Sequence, residues 1–370
     1  MMERIGFLVT RHNVMPENIL GLTFTRNAAE EMRLRLIPVL GELAQRVTLS
    51  TIHSFCHYLL RSEGKVFEII SGKEQISMIR YLMKRKRLDM SVGTLLREIS
   101  LAKNNLIGVE EFKALYESDK LMSKVANIYE SYEKEKAKKY LLDFDDLLVE
   151  TYNLLSTDDS IREKYSERYQ HVLIDEFQDT NPVQLEIIKL IVDHRNSNQK
   201  SYWITGDDWQ SIYSFAGASV NNILNFEKNF KHSEIFILNI NYRSTPQILR
   251  ACQNLISHNV RKIEKTLKTD NPEGDEVIVL ESSSEEGEAL SIINEIRDLV
   301  DKRGYQYKDC AVLYRANFQS RVIEETFSQM KIPYHIENGL NFYQRSEVRY
   351  ILDYLRVISN PDSDEGDEAM

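Results

Sequence analysis

The chain is poor in the residues that punctuate or staple small folds: among 370 residues there are 14 glycines, 7 prolines and 3 cysteines. So little glycine and proline excludes collagen-like and low-complexity chains. Cys56, Cys252 and Cys310 stand far apart with no C-x-x-C pair. This excludes a disulfide scaffold, fits a reducing compartment and offers no zinc site. No stretch approaches the ~20 apolar residues of a membrane span. The opening MMERIGFLVTRHNVMPENIL lacks a small-residue cleavage site, so the expectation is a cytoplasmic protein with no membrane partner. Positive charge is also short: 47 Lys+Arg against 57 Asp+Glu give a formal charge of −10. That excludes a wholly basic nucleic-acid binder but leaves room for a local basic groove.

What is present is 42% apolar and 28% charged residues, the profile of a folded, helix-rich protein of two to three domains. Ile19 to Phe24 is a short β-compatible run. Ala29, Met32 and Leu36 follow at helical spacing, with Asn27 as a candidate cap. Val47 to Arg61 repeats the strand–helix pattern. From Arg61 to Lys139 strand signals vanish, and 17 basic residues stand against 12 acidic ones. KRKR at 84–87 and KEKAKK at 134–139 supply much of that excess. Such a segment fits a solvated helical insertion, or one that turns a basic face to a phosphate backbone. Strand–helix alternation resumes at His171 to Ile174, with Asn181 and Pro182 as cap and first-turn residue of the next helix. Tyr202–Thr205 and Ile235–Leu238 read as further strands. The turn-rich TDNPEGD (269–275) opens a second unit with strands at Glu276–Leu280 and Cys310–Tyr314. Its helices are expected near Glu286–Arg303, Ser320–Gln329 and Glu347–Ile358. This alternation implies parallel sheets in both units. An acidic tail closes the sequence and is expected to fray.

Four segments can carry chemistry. LIDEFQDTNPVQ, Leu173 to Gln184, brings two adjacent carboxylates, Asp175 and Glu176, to the carboxyl end of a buried strand, where open α/β sheets bind ligands. Neighbouring strand residues face opposite ways, so one acid can hold Mg²⁺ while the next polarises a water. Ordinary strand ends can look the same. GDDWQSIYSFAGAS, Gly206 to Ser219, follows one strand later. Gln210 can sense a phosphate or a water. Tyr213 and Phe215 are spaced either as two aromatic faces for single-stranded bases or as core side chains. NYRST, Asn241 to Thr245, offers Arg243 as a γ-phosphate clamp or a surface ion-pair residue. LTFTRNAAEEM and TIHSF set Thr25, Arg26 and Asn27 at a helix N-terminus that can grip phosphates, and add His53. The same residues also read as a plain cap and a satisfied buried histidine.

In order and in sequence these segments resemble the UvrD/Rep/PcrA family of superfamily 1 DNA helicases. TFTRNAAEEM, STIHSF, DFDDLL (143–148), LIDEFQDTNPVQ, GDDWQSIYSFAGAS and NYRST look like successive family motifs. VLYRANFQSR, IPYHIENGLNFYQRSEV and YLRVISNP extend the likeness through the second unit, and DDWQSIY is similar to helicase IV-like members. The resemblance implies an α/β fold: a RecA-like (P-loop NTPase-type) parallel sheet over 1–60 and 141–240, a basic helical insertion over 61–140, and an incomplete second RecA-like domain over 241–370. It implies ATP and Mg²⁺ as cofactors. Asp175 would be the Mg²⁺ ligand, Glu176 the activator of water, Gln210 the coupler of the γ-phosphate to DNA, and Arg243 a γ-phosphate contact. Phe24, Thr25, Arg26, Asn27, His53, Tyr213 and Phe215 would line a track for single-stranded DNA or DNA with a 3′ tail.

The sequence departs from that pattern in three places. The family's GxGKT phosphate loop lies ahead of TFT, which here begins at Thr23. Gly64-Lys65 is followed by Val66 and Gly72-Lys73 by Glu74, so neither supplies the Ser/Thr of a phosphate loop. The motifs that close the family's second domain, with their second γ-phosphate arginine, are not met before residue 370. Ala216 stands where many relatives have an arginine. The expectation is a fragment that hydrolyses ATP negligibly alone. It would be a portion of a helicase completed by a complementary polypeptide, part of a split helicase or helicase–nuclease, or a non-catalytic DNA-binding or interaction remnant.

Overall fold

The computed structural model describes residues 1–192, 201–231 and 233–337, together with 348, 351, 352, 354, 355 and 358. It divides into two compact units. The first comprises Met1–Arg243 and Cys252–Asp270, and the second Ser244–Ala251 and the residues from Asn271 onward.

The first unit is built on β1 (Ile19–Thr23), β2 (Thr48–Thr51), β5 (His171–Ile174) and β6 (Ser201–Ile204), all parallel in the order β2-β1-β5-β6. Every residue of β1 and β5 is buried, as expected of parallel strands covered on both faces. Alternation sorts the side chains. Ile19 and Leu173 join a core with Ile5 and Leu8 of α1 (Met2–His12) and with Leu36 and Leu40 of α2 (Arg26–Leu40). Leu20, Leu22, Val172 and Ile174 face the other core. That core is supplied by α3 (Ile52–Ser62), and by α8 (Phe144–Thr157), α9 (Asp159–Arg168) and α10 (Pro182–Val192). Between these groups of helices, α4 (Gly72–Lys86), α5 (Val92–Asn104), α6 (Val109–Leu115) and α7 (Lys120–Lys138) pack on a core of their own around Ile79, Leu95, Ile99, Val125 and Tyr132. A two-stranded parallel ladder closes this insertion, β3 (Glu68–Ile69) with β4 (Leu141–Leu142), and β3 lies in the stretch where no strand is expected. The short helices α11 (Asn221–Leu224) and α12 (Phe226–Asn229) add Ile223 and Phe226 to the sheet core.

Asn181 and Pro182 begin α10 as the sequence indicates. Gln184 N–H donates to Asn181 Oδ1 at 2.9 Å. The cap of α2 differs from the expectation: Thr25 Oγ1 accepts from Ala28 N–H at 3.1 Å, and Asn27 lies inside the first turn. Thr25 wins because its backbone is extended, as a cap requires, with φ −118 and ψ 152.

α13 (Pro246–Ser257) carries the chain across the division. The second unit also holds α14 (Glu285–Arg303) and α15 (Ser320–Gln329), packed through Ile293, Ile296, Phe327 and Ile332. Here the strand expectations fail. Glu276–Leu280 and Cys310–Tyr314 form no ladder, and the second unit has no sheet among the described residues. In the first unit, Ile235–Leu238 is likewise unpaired, with a single bridge nearby between Ile240 and Lys268. A ladder needs a neighbour for its N–H and C=O groups, and these runs have none among the described residues. Half of the residues of the helix expected over Glu347–Ile358, and the whole acidic tail, fall outside the described residues.

Candidate nucleotide and nucleic-acid site

Because the four strands run parallel, their carboxyl ends share one rim. β1 delivers Phe24 to Asn27, β2 delivers His53, β5 delivers Asp175 and Glu176, and β6 delivers Thr205 to Gln210. The ladders continue one rung past the strands: Asp175 N–H donates to Leu22 O and Thr205 N–H to Ile174 O, both at 2.8 Å. Thr23, Asp175 and Thr205 therefore stand side by side on three adjacent strands. The Thr205 hydroxyl donates to Asp175 Oδ1. Thr23 is almost wholly buried, and its Oγ1 has no hydrogen-bond partner.

Glu176 turns the chain. Its φ of 52 and ψ of 45 lie in the left-handed region, which costs a side-chain-bearing residue roughly 1–2 kcal/mol. The turn sends Phe177 into the core, 0% exposed, with its N–H on Thr205 O at 3.0 Å. Gln178, also buried, donates from Nε2 to Glu176 Oε2 at 2.7 Å and accepts the Asp207 N–H on Oε1 at 3.0 Å. Burial, with Glu176 nearby, pushes the Asp179 carboxyl up to about 6.

The loop after β6 is tied from a distance in sequence. Gln210 Nε2 donates to Asp207 Oδ2 at 2.8 Å. Lys265 Nζ donates to Asp207 and, at 2.8 Å, to Asp208, and lies 4.7 Å from the Trp209 ring centroid. Ile263 N–H donates to Asp208 Oδ2 at 2.7 Å, and the Trp209 indole N–H donates to Ile263 O at 3.2 Å. Burial alone would raise the Asp207 carboxyl, but Lys265 and Gln210 outweigh it and hold it below its ordinary value.

Further along this loop an aromatic surface forms. The Phe24 and Tyr213 ring centroids are 5.1 Å apart, and those of Tyr213 and Phe215 are 5.9 Å apart. Phe24 is 45% and Phe215 52% exposed, so these rings offer accessible faces rather than filling a core. Arg26 and Asn27 are exposed beside Phe24. His53 is half-buried, and that burial lowers its pKa, favouring the neutral ring. Arg243 stands apart from these contacts: it is exposed, with its N–H on Asn241 Oδ1 at 2.9 Å.

DFDDLL proves to be a joint. Asp143 and Asp146 cap the start of α8 reciprocally, with side chains accepting from each other's N–H at 2.9 and 2.7 Å. They also meet two buried lysines. Lys103 lies 2.8 Å from Asp143 and 2.6 Å from Asp146. Lys136 contacts both, and Glu133 lies 2.8 and 2.9 Å from the two lysines. The three carboxylates are close enough to hold a cation, but the ammonium groups already fill that role. Next to Lys103, Asn104 Oδ1 accepts from Asn181 Nδ2 at 2.8 Å, linking α5 to the segment after Glu176.

The rim acids and rings are legible in the sequence, whereas Gln178, Lys265 and Asn104 are not. Gln178 lies inside a motif already singled out. Lys265 sits 55 or more residues from its partners and carries no local signal.

A parallel α/β sheet with acids, amides and rings on its carboxyl rim places these groups where open α/β sheets bind ligands. The sequence profile of the UvrD/REP helicase N-terminal domain matches residues 1–231, and that of the UvrD-like helicase C-terminal domain matches residues 236–366. The chain belongs to the UvrD/REP helicase family. It is 37% identical over 373 residues to the ATP-dependent DNA helicase PcrA of Bacillus subtilis (strain 168), covering 98% of this chain and 50% of that protein. It is 36% identical over 375 residues to the PcrA of Staphylococcus aureus (strain Mu50), with the same coverage. The chain thus spans about half the length of the curated relatives it matches. No helix among its described residues is long and apolar enough to cross a membrane.

Proposed function

We propose that these residues are the ATP- and DNA-engaging portion of an ATP-dependent DNA helicase of the UvrD type, moving 3′ to 5′ on single-stranded DNA or from a 3′ tail. One observation carries the reading: the Thr23–Asp175–Thr205 row and the ring cluster of exposed Phe24 and Phe215 with half-buried Tyr213 share one sheet rim. Hard oxygen donors of this kind suit Mg²⁺, and the unpartnered Thr23 Oγ1 is an oxygen that a hydrated cation or phosphate would satisfy. Asp175 would hold the ion, which when bound would neutralise phosphate charge. Glu176, exposed at its turn, orients and deprotonates water. Gln210 reads the γ-phosphate, and Arg243 contacts it. Phe24, Tyr213 and Phe215 stack bases, while Thr25, Arg26, Asn27 and His53 hold the DNA backbone.

A phosphate loop's N–H groups and lysine are the main partners of the β- and γ-phosphates, and no G-x-x-x-x-G-K-[ST] run occurs in the sequence. On this reading a complementary stretch of polypeptide supplies that cradle, and the 370 residues alone bind ATP weakly. Among the described residues β6 pairs only with β5, so its outer edge can accept another strand.

The test is anisotropy of a labelled oligo-dT titrated across salt concentrations. Stacking contributes ~1–3 kcal/mol per base, so Tyr213→Ala with Phe215→Ala should weaken binding at least tenfold, while a steep salt slope reports phosphate contacts. Absent binding, or binding indifferent to the double substitution, overturns the reading. Tight ATP binding by the chain alone would overturn its claim of an external cradle.

A further inference from the structure

Between the acid proposed to activate water and the loop proposed to carry DNA lies one buried amide. Gln178 donates to Glu176 Oε2 at 2.7 Å and accepts from Asp207 N–H at 3.0 Å. Asp207 in turn accepts from Gln210 at 2.8 Å, three residues before Tyr213. The amide has a single sensible orientation, because its donor meets a carboxylate and its acceptor meets an N–H. The backbone is shaped to admit it. A Cβ built on Gly206 would lie 2.7 Å from Gln178 Oε1 and 3.2 Å from Phe177 N. Glycine is needed there for close approach, not for its φ.

We infer that Gln178 is a positioning residue that links DNA occupancy of the aromatic face to the placement of Glu176, through Asp207 and Gln210. The inference rests on the reading proposed above. Lys265 anchors the far side of the link: it holds Asp207 and Asp208, so displacement of the 207–215 loop is passed to the Gln178 end rather than dissipated. Glu176 as described is engaged by Gln178, so releasing or re-aiming its carboxylate requires the amide to move. The coupling is thus a change of hydrogen-bond partner between two discrete arrangements, not a continuous deformation.

The experiment is amide hydrogen exchange on the full chain with and without saturating oligo-dT, comparing peptides that cover 174–179 and 204–212. In the unsubstituted chain, DNA should change exchange in both. Gln178→Met removes both arms of the amide. It should bind oligo-dT within about twofold of the unsubstituted chain, keep the DNA response at 204–212 and lose it at 174–179. Gln178→Glu keeps the acceptor for Asp207 N–H but faces Glu176 with a second carboxylate. It should retain Asp207 protection and still lose the response at 174–179, which covers the case in which the Met variant fails to fold. A purely structural role would alter exchange throughout the sheet without DNA and would leave the DNA-induced difference intact. A DNA response at 174–179 that survives in either folded variant overturns the inference, as does DNA binding by the unsubstituted chain with no response there. Failure of the unsubstituted chain to bind oligo-dT overturns the proposed function and this inference with it.

Discussion

His171–Ile174 and Glu276–Leu280 are both short apolar runs, yet only the first is a strand. The first is paired on both edges, by β1 and β6, and every residue is buried. The second has no ladder partner among the described residues, and Val279 within it is 90% exposed. Leu313, in the comparable run Cys310–Tyr314, is 94% exposed. The difference teaches that an apolar run makes a strand only when neighbours accept its hydrogen bonds and helices cover its faces. The first unit contains those partners. The second has helices α14 and α15 and a small core, but no sheet among the described residues for its extended runs to join.

The largest expected effect comes from breaking the better-built side of this contrast. Phe177 is fully buried between β5 and the loop after β6, so Phe177→Ala should cost the first unit about 3–5 kcal/mol. Both tryptophans, Trp203 and Trp209, lie in that unit, so urea unfolding followed by their fluorescence reads it directly. Amide exchange in α14 should be unaffected. Loss of protection in both units together would mean that they unfold as one.

A comparable effect is expected at the joint between the helical insertion and α8. Lys103→Met leaves Asp143, Asp146 and Glu133 with one cation in place of two. Breaking a buried ion pair this way costs about 3–5 kcal/mol. The joint also sets a pH dependence. Burial, opposed by Lys103 and Lys136, leaves the Asp146 carboxyl raised from 3.8 to about 6. The folded chain therefore binds that proton more tightly than the unfolded chain. The group's contribution to stability falls as pH rises through this window and recovers on mild acidification. Asp143 goes the other way: its two lysines outweigh burial and hold it well below its ordinary value, so its contribution is lost only in strong acid. In the same window His53, held low by burial, acts the opposite way and Asp179 the same way, so the group is read by difference. From about pH 7 to pH 5 the unfolding midpoint of Lys103→Met should rise relative to that of the unsubstituted chain, and a relative fall would contradict this assignment.

The smallest effect sharpens the contrast without perturbing the fold. Burial raises the Cys56 thiol to about 12, so it should resist a thiol reagent at neutral pH in the native chain. Cys252 is exposed and should label before Cys56. Mass spectrometry of partly labelled chains decides this, and modification of Cys56 before unfolding would show that the first unit opens locally.

Much of the first unit was legible because its signals are local. The apolar run to Ile174 followed by two acids marks a strand end at the sheet's carboxyl rim, and Asn181–Pro182 marks a helix start. Tyr213 and Phe215 are paired within one motif, and Phe24 belongs to another. That they touch depends on β1 and β6 ending at the same rim, which no local pattern encodes. The cap at Thr25 instead of Asn27 is a shift of two residues decided by backbone conformation. Lys265 was invisible because its partners are distant in sequence, and the meaning of DFDDLL because its lysines come from α5 and α7. The failed strands of the second unit show the converse: β-compatible composition states a preference, and pairing decides.

The left-handed backbone at Glu176 has a practical consequence for anyone reading function from variants at that position. Asparagine, aspartate and glycine tolerate such a conformation, whereas valine and isoleucine resist it. A β-branched replacement would remove the carboxylate and also unseat Phe177, so its silence in an assay would confuse lost chemistry with a misdirected chain. Glu176→Gln preserves length and shape, and is the substitution whose phenotype can be attributed to the missing charge.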